Sequence, residues 1–151
     1  LFEQAGDYII VTESRSTGSP IIVDVNNAAL KMHGYLREEL IGKSISFLDD
    51  KKNAKKIPIR KKELLEKGTL TFETTYRRKD GSTFDVEVTE RVVKIGGKTY
   101  NFAIGRDITK RKQAEIILRN SEESYRSIFE NAIDAIYIQD RDGRFLDVNP
   151  A

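Results

Sequence analysis

The chain has 151 residues, enough for one ordinary domain with an appendage, because domains cluster near roughly 100 to 150 residues. Its 26 basic and 24 acidic residues nearly cancel, which gives no reason to expect a nucleic-acid partner, and no apolar run approaches the roughly 20 residues of a membrane-spanning helix. The absence of cysteine excludes disulfides, thiolate metal sites and cysteine nucleophiles, and it fits a cytoplasmic protein.

The first part of the chain has the pattern of two strands followed by two short helices. Apolar, β-branched runs at 8–11 and 21–25 flank a stretch rich in Ser, Gly and Pro, which predicts an antiparallel pair. The side chain of Asn26 can cap the start of a helix that Gly34 ends. A second short helix is predicted over residues 37–41.

A lysine-rich stretch follows. Its basic residues are Lys51, Lys52, Lys55, Lys56, Arg60, Lys61, Lys62 and Lys67. Clustered lysines attract phosphate, but Glu63 and Glu66 interrupt the run and no aromatic residue is available to stack on bases. We therefore interpret the run as the solvated face of a helix that begins near Pro58, and we expect no nucleic-acid partner.

From Leu70 onward, apolar residues recur at every second position, which predicts three longer strands. Turns are indicated at Asp80-Gly81 and at Gly96-Gly97. The residues predicted to share a face are Leu70, Phe72, Thr74 and Tyr76, then Phe84, Val86 and Val88, and finally Tyr100, Phe102 and Ile104. The predicted fold class is α+β, with a five-stranded antiparallel sheet.

The segment after the last strand is rich in good helix formers and predicts a long helix. Along it, apolar and small residues recur at alternating spacings of four and three, at Ala114, Leu118, Ser121, Tyr125 and Ile128. This spacing is typical of a coiled-coil seam, so it predicts a homodimer formed through the helix. The alternative is a helix that packs back on its own domain.

Two segments of the chain recur in the same order. Residues 2–9 (FEQAGDYI) return as 129–136 (FENAIDAI), and 24–28 (DVNNA) return as 147–151 (DVNPA). A period this long indicates tandem domains and not a solenoid. We expect one complete domain over 1–109, a connector helix over 110–127 and the truncated start of a second copy over 128–151.

These strings resemble the PAS family with its C-terminal PAC motif. Residues 25–28 with 34–43 look like the family's helical cradle, 78–82 like its central hairpin, and 105–115 like its last strand and exit helix. The resemblance implies a sheet with short helices on one face, which together enclose a ligand pocket. It also implies that Asp107, Ile108 and Thr109 relay a signal into the exit helix.

The pocket should be lined by inward side chains of the sheet and of the charged helix. Our candidates for ligand binding are Ile57, Ile59, Leu64, Phe72, Thr74, Tyr76, Phe102 and Ile104. The alternative for each of them is an ordinary core position.

The cofactor stays unknown, although two types are disfavoured. Relatives with flavin photochemistry use a cysteine thiol, so the cysteinyl-flavin adduct is excluded. Heme-binding relatives use a histidine after the cradle, whereas residues 51–67 contain none and His33, the one histidine, lies in the first cradle helix. We interpret His33 as a core or surface residue and expect neither heme nor a protein metal site. A small organic ligand remains open.

The resemblance implies a sensory module that relays ligand state to a covalently linked output domain, such as that of a sensor histidine kinase with several PAS domains. No phosphate loop, catalytic triad or kinase motif occurs, so the chain itself is not expected to be an enzyme. Two alternatives remain. One is a ligand-free spacer or dimerisation module, and the other is the sensor of a diguanylate cyclase or phosphodiesterase.

Overall fold

The computed structural model describes residues 2–3, 6–49, 53 and 55–151. The chain divides into two compact units, Leu1–Thr109 and Lys110–Ala151. Within the described ranges, no helix is both long enough and apolar enough to cross a bilayer.

The first unit is a mixed structure of strands and short helices. In chain order its elements are β1 (Tyr8–Glu13), β2 (Ile21–Val25), α1 (Asn27–His33), α2 (Arg37–Leu40), a 3-10 turn (Ile45–Phe47), α3 (Ile57–Lys67), β3 (Thr69–Arg77), β4 (Thr83–Ile95) and β5 (Lys98–Asp107). The strands form one antiparallel sheet in the order β2-β1-β5-β4-β3. The predicted α+β class and five-stranded antiparallel sheet are confirmed.

The helices begin and end where the local sequence predicts. The Oδ1 atom of Asn26 accepts a hydrogen bond of 2.9 Å from the amide of Ala29, which caps α1. Gly34 ends α1 in the left-handed region, at φ 75°, with its amide bonded to the carbonyl of Leu30. Pro58 lies in the first turn of α3, where it needs no hydrogen-bond partner for its nitrogen.

The core lies between one face of the sheet and the helices. Its fully buried members include Tyr8, Ile10, Ile22, Val25, Leu40, Leu48, Phe84, Val86 and Val88. Tyr8 on β1 is the direct cross-strand neighbour of Gly105 on β5. A Cβ atom at Gly105 would lie 1.9 Å from Cζ of Tyr8, so the ring occupies the space that any other residue at 105 would need.

The predicted inward face of β5 is wrong. Asn101 and Ala103 are buried on the inner face, whereas Phe102 lies half-buried on the opposite face and Ile104 is 49% exposed. The physical reason is the tyrosine on β1, because its ring requires a glycine opposite it and so fixes which alternate residues of β5 point inward. The larger side chains of β5 therefore lie on the outer face.

The second unit contains most of a long helix and a small hairpin. Helix α4 (Thr109–Asn131) is followed by β6 (Tyr137–Gln139) and β7 (Phe145–Val148), which pair antiparallel. The Tyr125 and Phe129 rings stack with centroids 5.4 Å apart.

The internal repeat has a counterpart in the hydrogen bonds of the two units. The amide of Ile9 donates to Asn26 Oδ1, whose Nδ2 donates to the carbonyl of Asp7. The amide of Ile136 donates in the same way to Asn149, whose Nδ2 donates to the carbonyl of Asp134. In both copies, the asparagine after the second strand thus makes the same two hydrogen bonds. They connect the end of the second strand to the backbone at the start of the first strand. Gln4 and Ala5 of the first copy lie outside the described residues.

Candidate ligand cavity and signal junction

A small cavity lies in the first unit between the inner sheet face, α3 and the preceding loops. Its lining residues are Thr12, Pro20, Ile45, Asp49, Ile57, Arg60, Lys61, Phe72, Tyr76, Glu90 and Asn101. The volume is about 30 Å³, which is room for about two water molecules. The lining is more polar than the mostly apolar pocket expected from the sequence.

The sequence candidates are divided between the cavity and other places. Ile57, Phe72 and Tyr76 line it. Thr74 is buried behind its wall, and Leu64 is buried on the inner side of α3 without lining it.

Ile59 is 69% exposed, so its predicted place in the lining is wrong. The cause is the helical period, because Ile57, Arg60 and Leu64 share one face of α3 and residue 59 points away from it. Phe102 and Ile104 are likewise misplaced, since they lie on the outer face of the sheet.

One side of the cavity holds a buried ion pair bridged by a hydroxyl. Oγ1 of Thr74 donates to Asp49 Oδ1 over 3.0 Å, and Nη2 of Arg60 donates to Thr74 Oγ1 over 3.2 Å. Nη1 of Arg60 lies 3.8 Å from Asp49 Oδ1, and its guanidinium sits 4.2 Å from the centre of the Phe72 ring. The side chains of Asp49 and Arg60 are 3% and 13% exposed, so each charge compensates the desolvation of the other.

The other side of the cavity carries polar groups from three adjacent strands: Thr12 on β1, Asn101 on β5 and Glu90 on β4. Burial raises the pKa of Glu90 to about 7; the charge of Asp49 raises it further, while that of Arg60 opposes the rise. Oδ1 of Asn101 accepts from the hydroxyl of Ser14 at 3.3 Å. Among the described residues, none hydrogen-bonds the Glu90 carboxylate, the Thr12 hydroxyl or the second polar atom of the Asn101 amide.

Sequence reasoning missed these polar residues. Glu90 continues the same alternation as Phe84, Val86 and Val88, so the period-two pattern could have placed its carboxylate on the inner face. Arg60 follows Ile57 by three positions, which places both on one side of α3. In both cases a charged side chain indicates exposure to solvent, whereas its position in the repeating pattern indicates the inner side. Lys51 and Lys52 of the basic run lie outside the described residues.

His33 lies in the core within an aromatic cluster. Its ring centre is 5.2 Å from those of Tyr76 and Phe84, and 5.8 Å from that of Tyr8. Within the described part of the chain, neither ring nitrogen of His33 has a hydrogen-bond partner. Burial, with a smaller contribution from the charge of Arg78, lowers the pKa of His33 to about 4, so the imidazole is neutral at pH 7.

The predicted relay residues form a hydrogen-bonded junction at the end of β5. Oδ1 of Asp107 accepts from the amide of Thr109 over 2.8 Å, which caps the start of α4. The amide of Asp85 donates to the Thr109 hydroxyl over 3.0 Å, and its carbonyl accepts from the amide of Ile108 over 2.9 Å. The start of α4 is therefore fastened to β4 as well as to β5.

Arg78 extends this junction into the core. Its Nη2 lies 3.7 Å from Asp107 Oδ2, while its Nε donates to the carbonyl of Met32 in α1 over 2.9 Å. The guanidinium also sits 4.2 Å from the centre of the Phe84 ring. One side chain therefore contacts the junction, α1 and the aromatic cluster, and sequence reasoning assigned it no role.

Comparison with known proteins agrees with this architecture. Residues 7–110 match a family model described as a PAS domain, and residues 123–151 match a second model of the same description. The chain belongs to the PAS family. PAS domains are sensory modules and not catalytic ones.

The most similar relatives include sensor and kinase proteins. The chain is 30% identical over 151 residues to Sporulation kinase E of Bacillus subtilis (strain 168), covering 99% of this chain and 19% of that relative. It is 26% identical over 119 residues to the Methyl sulfide methyltransferase-associated sensor of Methanosarcina acetivorans, covering 79% of this chain and 12% of the sensor. The chain thus spans less than a fifth of either relative's length.

Among solved structures, the PAS domain of an HTR-like protein from Haloarcula marismortui aligns with a TM-score of 0.63 at 31% identity. The alignment covers 72% of this chain and 86% of that one.

The helix that leaves the first PAS domain exposes a broad apolar surface. All five predicted seam residues are exposed, and Leu118 is 61% exposed. Ile116 and Ile117 are exposed beside them and were not among the predicted residues. Arg119 pairs with Glu123 one turn further on, with Nε 2.9 Å from Oε1.

Proposed function

We propose that the first PAS domain binds a small ligand in the cavity and that the state of this site is passed along β5 into α4. The observation that carries the proposal is the course of β5, because Asn101 faces the cavity and Asp107 caps the start of α4 on the same strand. A ligand that binds two arrangements of the strand unequally would change their populations and hence the order of the helix start.

We propose further that the parent protein is a cytoplasmic sensor histidine kinase with more than one PAS domain. The match to a relative named as a kinase, over nearly the whole chain, supports this proposal. So does the second PAS match at residues 123–151. The two copies would be arranged in tandem and joined by α4.

A ligand-free spacer is the second candidate, and the small volume of the cavity favours it. Because about 30 Å³ accommodates about two or three non-hydrogen atoms, any larger ligand requires the lining side chains to move. In the spacer, the cavity would hold water, and its state would have no effect on α4.

Ligand retention distinguishes the sensor from the spacer. We expect protein purified under mild conditions and then denatured to release a small molecule that mass spectrometry detects. Tyr76→Ala, which removes a cavity wall, should lose at least half of it, whereas Ile59→Ala on the exposed side of α3 should keep it. Stripping the ligand should change amide hydrogen exchange over 107–114. Release of no molecule, with exchange unchanged by stripping, would reject the sensor proposal.

The exposed seam on α4 supports a parallel proposal, that two copies associate through this helix. Most of the stability of a helix in a protein comes from packing its apolar face, and association would bury the apolar stripe of α4. The i,i+4 ion pairs on its other faces can stay solvated in such a dimer.

Leu118→Glu should weaken dimerisation at least about tenfold, because it would bury an unpaired carboxylate in the seam. The measurement is sedimentation equilibrium on the full chain. Asn120→Glu is the matched control, since it adds the same charge two positions away and off the seam. Equal dimerisation of the two variants would argue against the coiled coil.

A further inference from the structure

The Glu90 carboxylate of the cavity forms no ion pair with any cationic side chain that the structure describes. Four charged side chains line it, namely Asp49, Arg60, Lys61 and Glu90. Arg60 and Asp49 already compensate one another through Thr74. The ammonium of Lys61 donates to the carbonyls of Arg15 and Gly18 in the β1–β2 loop. Arg60 and Lys61 are thus engaged by other groups, and neither forms an ion pair with Glu90.

Two further polar groups line the cavity on β1 and β5, and the side-chain oxygen of each can accept a further hydrogen bond. Thr12 and Asn101 are direct cross-strand partners, and Asn101 is also paired with Val92, two residues along β4 from Glu90. Asn101 and Glu90 are therefore diagonal neighbours, which lie about 7–8 Å apart in a sheet, a gap that one small molecule can bridge; Thr12 lies one strand further away.

We propose that the cavity selects a small alkylammonium ion, whose N–H groups donate to Glu90 and to Oδ1 of Asn101 while its carbon atoms lie against Ile57 and Tyr76. The inference rests on the ligand-binding function proposed above and specifies the chemical class of the ligand. The cation supplies a counter-charge next to Glu90, and its N–H donors fit the acceptors that β4 and β5 present.

The alternatives fit this lining less well. A carboxylate ligand would lie next to Glu90 and Asp49, and like charges in a poorly solvated site repel strongly. A neutral alcohol could occupy the same volume and donate a hydrogen bond to Glu90, but it would bring no counter-charge to the carboxylate in this poorly solvated site. Burial raises the pKa of Glu90 in spite of the nearby charge of Arg60, so ionised Glu90 would gain from a cation in direct contact.

The size of the cavity sets the probe. Ethylammonium, ethanol and acetate have three or four non-hydrogen atoms and differ in charge, so together they isolate the electrostatic preference. Each is titrated into the full chain at pH 8, where Glu90 is ionised, and binding is followed through the backbone amide NMR signals of residues 12, 90 and 101. We expect ethylammonium to bind at least about tenfold more tightly than ethanol, and acetate not to bind.

Glu90→Gln keeps the shape of the side chain and removes its charge. It should weaken ethylammonium binding at least about tenfold and leave ethanol binding unchanged. Glu87→Gln, on the outward side of the same strand, is the matched control and should alter neither. The other charged or titratable groups around Glu90 are Asp49, Arg60, Lys61, Tyr8 and Tyr76. If protonation of Glu90 makes ethylammonium binding weaker at pH 6 than at pH 8, this pH dependence must therefore be absent from Glu90→Gln.

The outcomes separate this inference from the function on which it rests. Ethanol or acetate binding as tightly as ethylammonium would overturn the ligand class while leaving a working ligand cavity. Ethylammonium binding that survives Glu90→Gln would also overturn it. Failure of all three probes would overturn it as well, and the molecule retained by the purified protein would still decide whether the cavity serves a sensor.

Discussion

Gly105→Ala is expected to lower the free energy of unfolding by about 3 kcal/mol or more, at the upper end of what overpacking costs. The added methyl carbon would lie 1.9 Å from Cζ of Tyr8 and 2.3 Å from its hydroxyl oxygen. Tyr8 is fully buried and packed against His33 and Tyr76, so its ring cannot move aside without displacing other core side chains. Urea denaturation followed by circular dichroism measures the loss.

Two further variants isolate the clash. Gly6→Ala is the matched control, because no atom of the described residues beyond its chain neighbours lies within 4 Å of the position of its Cβ, and its backbone is not left-handed. Tyr8→Ala removes the ring, so adding Gly105→Ala to it should cost far less than the same change in the wild type. Equal stability of Gly105→Ala and Gly6→Ala would show that Tyr8 does not fix the glycine.

The same tyrosine explains why the sequence predicted four strands better than the fifth. In β3 and β4 the apolar residues occupy the inner face, so the period of two gave both the strand and its orientation. In β5 the large residues Phe102 and Ile104 lie on the outer face, because the small residues Ala103 and Gly105 are needed inside. That requirement comes from Tyr8 on β1, nearly a hundred positions earlier. The apolar pattern of β5 alone therefore cannot reveal it.

The cavity was harder to predict than the fold for a related reason. Caps such as Asn26 and turns such as Gly96-Gly97 are determined by residues a few positions apart, and both were predictable. The polar lining instead brings together residues that are distant in sequence, from Thr12 to Asn101. Charged residues are normally exposed to solvent, so the sequence predicted a solvated face for Arg60. In the structure Arg60 is instead largely buried beside Asp49.

Acid is expected to destabilise the domain through His33. The unfolded chain binds a proton on this residue below about pH 6.5, whereas burial holds the pKa in the folded state at about 4. Between these values the unfolded state binds more protons than the folded state, so stability is lost as the pH falls. The loss attributable to His33 should reach about 3 kcal/mol by pH 4, measured by urea denaturation across the window.

His33→Phe identifies the source of this loss, because it keeps an aromatic ring in the cluster and removes the titrating group. It should also remove two buried nitrogens that have no partner among the described residues, worth about 1–3 kcal/mol at pH 7 unless the larger ring strains the core.

Glu90 acts in the opposite direction, since its pKa of about 7 in the folded state stabilises the domain at low pH and that contribution is lost as the pH rises from about 4.5 to 7. Glu90 contributes equally to both proteins, so it cancels when the variant is compared with the wild type. The stability difference between His33→Phe and the wild type should therefore grow by about 3 kcal/mol from pH 7 to pH 4, and a constant difference would mean that His33 does not titrate below its normal range.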